Sequence, residues 1–146
     1  EGNTDGITYY YEHETGVNQV RLGVTAAIPA DITSGDYDIT QKVVRGAATN
    51  MADLRGDGEN IMRVSRIIPD FITQQNNVFA QLEVRDYPND TAASSPLGPF
   101  TLTPNTTKVD TRARGRAIAL TISNTAVDTS WKLGTFRLDI QAGGRR

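Results

Sequence analysis

The sequence has no cysteine and only one histidine. Without thiols, the chain can form neither a disulfide framework nor a thiolate metal site or nucleophile. The histidine, His13, lies between Glu12 and Glu14, but neighbouring side chains of a strand point to opposite faces, so this triplet indicates an exposed polar loop. The acidic turn from Asp53 to Glu59 lacks the ligand spacing of an EF-hand loop and indicates a solvated turn. We therefore expect no metal and no cofactor.

Sequence motifs of catalysis are also missing. There is no Gly-x-Ser-x-Gly elbow, no glycine-rich stretch followed by Lys-Ser or Lys-Thr, and no second histidine to serve a serine as a base. Pairs of Asp and Glu keep a small hydrolase open as an alternative, because glycoside hydrolysis depends on the separation of two carboxylates. We expect no catalytic residues and no enzyme activity.

Long hydrophobic runs are absent, so we expect no membrane insertion. The 146 residues suit one domain of ordinary size, which is large enough to bury a hydrophobic core.

The formal net charge of -2 hides an asymmetry along the chain. Residues 1–38 carry seven acidic side chains against Arg21 alone, whereas residues 111–146 carry seven basic side chains against Asp128 and Asp139. Such polarity suits a contact between copies or a contact with nucleic acid. The alternative is solvated surface on two sides of one domain.

The C-terminal part of the chain has the clearest strand pattern. Ile118, Leu120 and Ile122 alternate with polar or small residues, and Phe136, Leu138 and Ile140 do the same. The linker at residues 124–130 is polar and short. We therefore expect the two runs to pair as an antiparallel hairpin.

The second run contains a change of parity. Trp131 and Leu133 share one parity, whereas Phe136 and Leu138 share the other, so a β-bulge at Gly134 would return both sets to one face. We predict that Trp131, Phe136 and Leu138 anchor the core.

Three arginines precede the first run at alternate positions. Arg112, Arg114 and Arg116 share the parity of Ile118, so either Gly115 marks another bulge or the arginines continue the core face beyond the rim of the sheet. Their side chains would be spaced about 7 Å apart along one strand face. We expect them to contact carboxylates of an adjacent copy or phosphates of a nucleic acid, and the alternative is a surface ladder of low energy per pair.

The rest of the chain favours β-structure with long polar loops. Further strands are predicted at residues 6–11, 20–28, 59–68, 78–87 and 100–103, and residues 41–57 are the only candidate for a short helix. We predict an all-β fold, an antiparallel β-sandwich over residues 29–146, preceded by an N-terminal strand or arm at residues 1–28.

Five stretches carry a resemblance to a known family: EHETG at 12–16, IPADITSGDYDI at 28–39, RIIPDF at 66–71, RARGRAIALTI at 112–122 and SWKLGTFRLDIQAGGRR at 130–146. Together they resemble the C-terminal portion of the nozzle, or tail tubular, protein of short-tailed bacteriophages (podoviruses). The arginine-rich strand, the Trp-x-Leu-Gly-x-x-Arg-Leu-Asp run and the terminal Gly-x-Arg are the most specific parts.

This resemblance implies a structural virion protein of the phage tail. It implies a homo-oligomer, a six-fold ring below the portal and adaptor, whose channel passes the genome during DNA ejection. The implied partners are other tail proteins, namely the adaptor and fibres, and DNA in transient passage. The family also contains a propeller-like part, so residues 1–28 are expected to be the remnant of that preceding domain.

A function of another class remains open. A carbohydrate-binding module of jelly-roll type would need an exposed aromatic platform. The tyrosines that could supply it are Tyr9, Tyr10, Tyr11, Tyr37 and Tyr87.

Overall fold

The computed structural model describes residues 16–21, 23–39, 60–87 and 94–145, and within these ranges the regular structure is entirely β. The predicted strand at 6–11 and the helical candidate at 41–57 lie outside the described residues. The strands are β1 (Asn18–Arg21), β2 (Val24–Ala27), β3 (Ala30–Thr33), β4 (Asn60–Ile68), β5 (Phe71–Gln75), β6 (Val78–Arg85), β7 (Ser94–Leu102), β8 (Val109–Gly115), β9 (Ala117–Asn124), β10 (Ser130–Leu133) and β11 (Arg137–Arg145).

Two antiparallel sheets form the sandwich. Sheet I has the strand order β3-β9-β6-β7, and sheet II has the order β11-β4-β8. In β6 every second side chain is buried, as the alternation in its sequence predicts. One continuous core joins the two sheets and contains Met62, Val64, Ile67, Val78, Ala80, Leu82, Val84, Leu102, Ala113, Ile118, Leu120 and Ile122. The predicted all-β, antiparallel sandwich is confirmed.

Burial of these aliphatic side chains holds the sheets together. Fully burying a valine, leucine or isoleucine stabilises a fold by about 1.5–3 kcal/mol relative to leaving it exposed. Leu82 and Ile118 are among the largest side chains that are fully buried, and each lies on a central strand of sheet I. The core is therefore centred on β6 and β9, with β4 opposite.

The predicted hairpin between the two C-terminal runs is wrong. β9 pairs with β3 and β6 in sheet I, whereas β11 pairs with β4 in sheet II. The linker after β9 leads to β10, which pairs with β5. Alternation predicts which face of a strand is buried, but it does not select the neighbouring strand.

Two strand pairs adjoin each other along the chain, namely β4 with β11 in sheet II and β5 with β10 in a two-stranded sheet. The two pairs meet where Asp70 faces Gly134: the Gly134 amide donates to the Asp70 carbonyl at 2.8 Å, and the Thr135 amide donates to Asp70 Oδ2 at 3.3 Å. A Cβ added at Gly134 would lie 2.9 Å from the Asp70 carbonyl oxygen. The register of β10 against β5 shifts between Lys132 and Leu133, and the strand is interrupted at Gly134 before β11 begins in sheet II. Trp131, Phe136 and Leu138 all pack against the core, so the parity change is accommodated by this irregularity and break rather than by a bulge at Gly134 within one continuous strand.

The arm region contributes a separate two-stranded hairpin. Among the described strands, β1 and β2 pair only with each other, with Gly23 at a φ of 77° in their turn. Val20 and Val24 are exposed, on opposite faces of this hairpin. Within the described ranges, no helix has the length and apolar character needed to cross a membrane.

Candidate functional site

The predicted arginines lie on and just beyond β8. Arg112 and Arg114 are exposed, whereas Ala113 and Gly115 between and after them are buried. The two guanidinium groups therefore project from the outer face of sheet II, away from the core. Arg116 follows the end of the strand and is half-buried.

The chain changes sheets at the corner between β8 and β9. The Arg116 amide donates to the carbonyl of Arg85 at 3.0 Å, which fastens the corner to the end of β6. Ile118, two residues later, faces the core. The parity therefore changes at Gly115 and Arg116, and the alternative in which the arginines continue the core face is wrong.

A fourth arginine joins this surface from the neighbouring strand. Arg63 is exposed between the buried Met62 and Val64, and it is the direct cross-strand partner of Arg114. Sequence reasoning missed Arg63, although its position between two apolar residues of a predicted strand was the available signal. We call the surface formed by Arg63, Arg112 and Arg114 the arginine face.

The arginine face carries positive charge that is not ion-paired with any described residue. Across the described part of the chain, no ion pair or side-chain hydrogen bond involves its three guanidinium groups. Like charges placed directly opposite on adjacent strands destabilise a sheet. A bound anion would therefore reduce the electrostatic repulsion between Arg63 and Arg114.

A neighbouring arginine on the same outer face is ion-paired, unlike the residues of the arginine face. Arg66 on β4 bonds Asp110 on β8 at 3.0 Å and Asp139 on β11 at 3.4 Å, and both are its direct cross-strand partners. The hydrogen bond from Arg66, with the nearby charge of Lys108, lowers the pKa of Asp110. Asp110 in turn raises the pKa of Arg66. Arg66 therefore pairs with carboxylates of its own chain, whereas among the described residues the guanidinium groups of the arginine face do not.

A cleft lies at one end of the arginine face, where β6 ends beside the β8–β9 corner. Its volume is about 390 Å³, and its lining residues are Ile61, Asp86, Tyr87, Arg114 and Arg116. Tyr87 is 70% exposed. The cleft thus brings two guanidinium groups, one carboxylate and one phenol ring around the same volume.

The predicted core anchors form an aromatic group at the margin of the core. Trp131, Phe136 and Leu138 are half-buried and pack against the core cluster. Phe71 contacts the rings of Trp131 and Phe136 edge to face, with centroids 6.3 and 5.6 Å apart. Trp131 also donates from Nε1 to Asn124 Oδ1 at 2.8 Å. These residues border the fully buried aliphatic centre rather than forming it.

Most of the remaining sequence candidates cannot be placed relative to the arginine face. His13, the Asp53–Glu59 turn and Tyr9 to Tyr11 lie outside the described residues. Tyr37 is exposed but belongs to the edge beside β9, through its backbone bridge to Ile118. Among the described residues, no three His, Cys, Asp or Glu side chains are grouped closely enough to hold a metal ion.

No model of a protein family matches this chain, and none of the curated proteins matches its sequence.

Proposed function

We propose that this chain is a structural subunit of a homo-oligomeric assembly in which the arginine face of one copy binds carboxylates of the next. The resemblance to nozzle proteins supports a six-fold ring in the tail of a short-tailed phage, forming the channel for genome passage and contacting other tail proteins. The structural observation that supports the proposed subunit contact is the arginine face.

The chemistry of the face favours carboxylates. A guanidinium group presents a planar fork of N–H donors that matches a carboxylate in two parallel hydrogen bonds. The chain itself supplies acidic partners, because its residues 1–38 hold seven acidic side chains. A basic surface that meets a different, acidic surface of the next copy is a head-to-tail contact, and such contacts close into rings when the rotation allows.

DNA passage through the ring places a further constraint on the arginines. Each phosphate contact adds a strongly salt-dependent increment of affinity, so a wall of arginines would retain the genome. We therefore expect the arginine face to lie between subunits or on the outside, with a neutral or acidic channel wall.

The test is assembly of a double variant, Arg63→Gln with Arg112→Gln, measured by light scattering over a range of concentration and salt, and by electron microscopy of the particles. We expect the wild type to form closed rings, and the double variant to stay monomeric with an unchanged circular dichroism spectrum. Arg137→Gln is the matched control, because it removes an exposed arginine from β11 of the same sheet. Rings of unchanged stability in the double variant, a wild type that is monomeric throughout, or arginines imaged on the channel wall would each contradict the proposal.

A further inference from the structure

We propose that the cleft lined by Tyr87, Asp86, Arg114 and Arg116 is a binding site for an acidic sugar, a monosaccharide unit that carries a carboxylate, such as a uronic acid. This site goes beyond the proposed subunit contact. Neither Arg63 nor Arg112 lines the cleft.

The walls of the cleft are fixed by the backbone. Asp86 and Tyr87 directly follow β6, whose last residue, Arg85, accepts the Arg116 amide at its carbonyl. The Arg85 side chain is held in turn by Asp36, with Nη1 at 2.6 and 2.8 Å from the two carboxylate oxygens. These contacts fasten the end of β6 to the β8–β9 corner and to Asp36 at the place where the cleft forms.

The lining groups divide the recognition of such a sugar among them. Arg114 supplies guanidinium donors for its carboxylate, and Arg116 adds positive charge beside it. The exposed face of the Tyr87 ring is the negative face of an aromatic quadrupole, and the C–H groups on one side of a sugar ring can pack on it. Asp86 is an acceptor only, and sugar hydroxyl groups are donors.

The aromatic content of the cleft argues against a nucleic acid as the occupant. Sites for single-stranded nucleic acid use a basic groove with successive aromatic rings. Among its described lining residues this cleft has one aromatic ring, Tyr87, and its volume is about 390 Å³. That volume lies near the lower end of the range of small-ligand pockets, about 300–1,000 Å³.

The experiment is a titration of the full chain with D-glucuronate, followed by chemical-shift changes of backbone amides. D-glucose, acetate and inorganic phosphate are the comparison probes. We expect shifts at Tyr87, Gly115 and Arg116, and an affinity for glucuronate about tenfold or more above that for each comparison probe, which corresponds to about 1.4 kcal/mol. Equal binding of acetate or phosphate, or no shifts around the cleft, would overturn the sugar site.

Variants separate this site from the subunit contact. Tyr87→Ala should weaken glucuronate binding about tenfold, through loss of one well-packed ring contact, while ring assembly persists. Its side chain is largely exposed, so the fold should tolerate the change. Arg112→Gln should weaken assembly and leave glucuronate binding unchanged. Equal loss of glucuronate binding in both variants would indicate diffuse attraction to the arginine face and overturn the site.

Discussion

Gly115 lies so close to Val84 that a Cβ at position 115 would overlap the Cγ1 methyl group of the valine. The same Cβ would also lie 3.1 Å from the Arg85 carbonyl oxygen. This contact brings the end of β8 onto the end of β6, although the two strands belong to different sheets. A glycine is therefore required at position 115, because there is no room for a Cβ where the chain passes from one sheet of the sandwich to the other.

The first prediction is that Gly115→Ala destabilises the fold. Overpacking a dense core forces side chains and backbone to shift, which costs about 1–3 kcal/mol. The free energy of unfolding in urea measures the effect. Val84→Ala should partly offset it in the double variant, because it removes the methyl group that the new Cβ meets.

Gly35→Ala is the matched control for this prediction. A Cβ added at Gly35 would have no atom within 4 Å, and the residue has no positive φ, so the stability of this variant should change little. If Gly115→Ala were as stable as Gly35→Ala, the close approach to Val84 would be wrong.

The sequence predicted the class of fold because alternation is a local property. Each of β4, β6 and β9 shows its buried face in its own residues, and the sandwich follows from several such strands. Pairing is not local. β9 and β11 lie close together in the chain and both alternate, yet they belong to different sheets because β10 and the break at Gly134 lie between them.

The sequence predicted only the part of the candidate site that depends on local alternation. Parity grouped Arg112 with Arg114, and the structure places both on one exposed face. Parity could not decide whether that face pointed to the core or to the solvent, because this depends on the passage of the chain from sheet II to sheet I at Gly115. Arg63 and Tyr87 come to the site from β4 and the end of β6, which only the tertiary fold brings together.

The second prediction concerns the hydrogen bond from Trp131 to Asn124. Asn124 is 3% exposed, and its Oδ1 accepts from the indole at 2.8 Å. Trp131→Phe keeps an aromatic ring beside Phe71 but leaves that oxygen without its donor. We expect a loss of about 1–3 kcal/mol in the free energy of unfolding.

A double-mutant cycle with Asn124→Ala separates the bond from lost packing. The combined variant should cost less than the sum of the two single changes, because each removes the same bond. Lys132→Gln, next to Trp131 and exposed, should leave stability unchanged. Strictly additive effects would show that the indole and the amide are not coupled.

The third prediction is a pH dependence from Asp110. Its pKa is lower in the folded chain than in the unfolded chain, because Arg66 and Lys108 favour its charged form. Its contribution to stability is therefore full above the unfolded value of about 3.9 and is lost as the pH falls through the lower folded value.

Asp110→Asn tests this directly. The variant should be slightly less stable than the wild type at neutral pH, and the difference should vanish in strong acid. The Asp110 side chain is 66% exposed, so the effect should be small and should shrink in high salt. A stability difference that grows as the pH falls would contradict the assigned direction of the pKa shift.

The last prediction tests whether the β1–β2 hairpin is an arm separate from the sandwich. Asn18 fastens it to the loop after β9: its Oδ1 accepts the Asp128 amide at 2.7 Å, and its Nδ2 donates to the Asp128 carboxylate. Asp128 is held at a φ of 58°, and its carbonyl accepts from Asn76 Nδ2 at 2.8 Å.

Asn18→Ala should therefore release the hairpin and raise amide hydrogen exchange over residues 18–27, while the urea midpoint of the sandwich stays the same. Each exposed hydrogen bond contributes only about 0.5–1.5 kcal/mol, which is enough to loosen a short hairpin but not to unfold the core. Thr25→Ala, an exposed change on β2, should raise exchange much less. If Asn18→Ala lowered the urea midpoint of the whole chain, the hairpin would be part of the cooperative sandwich, and a boundary near residue 28 would be wrong.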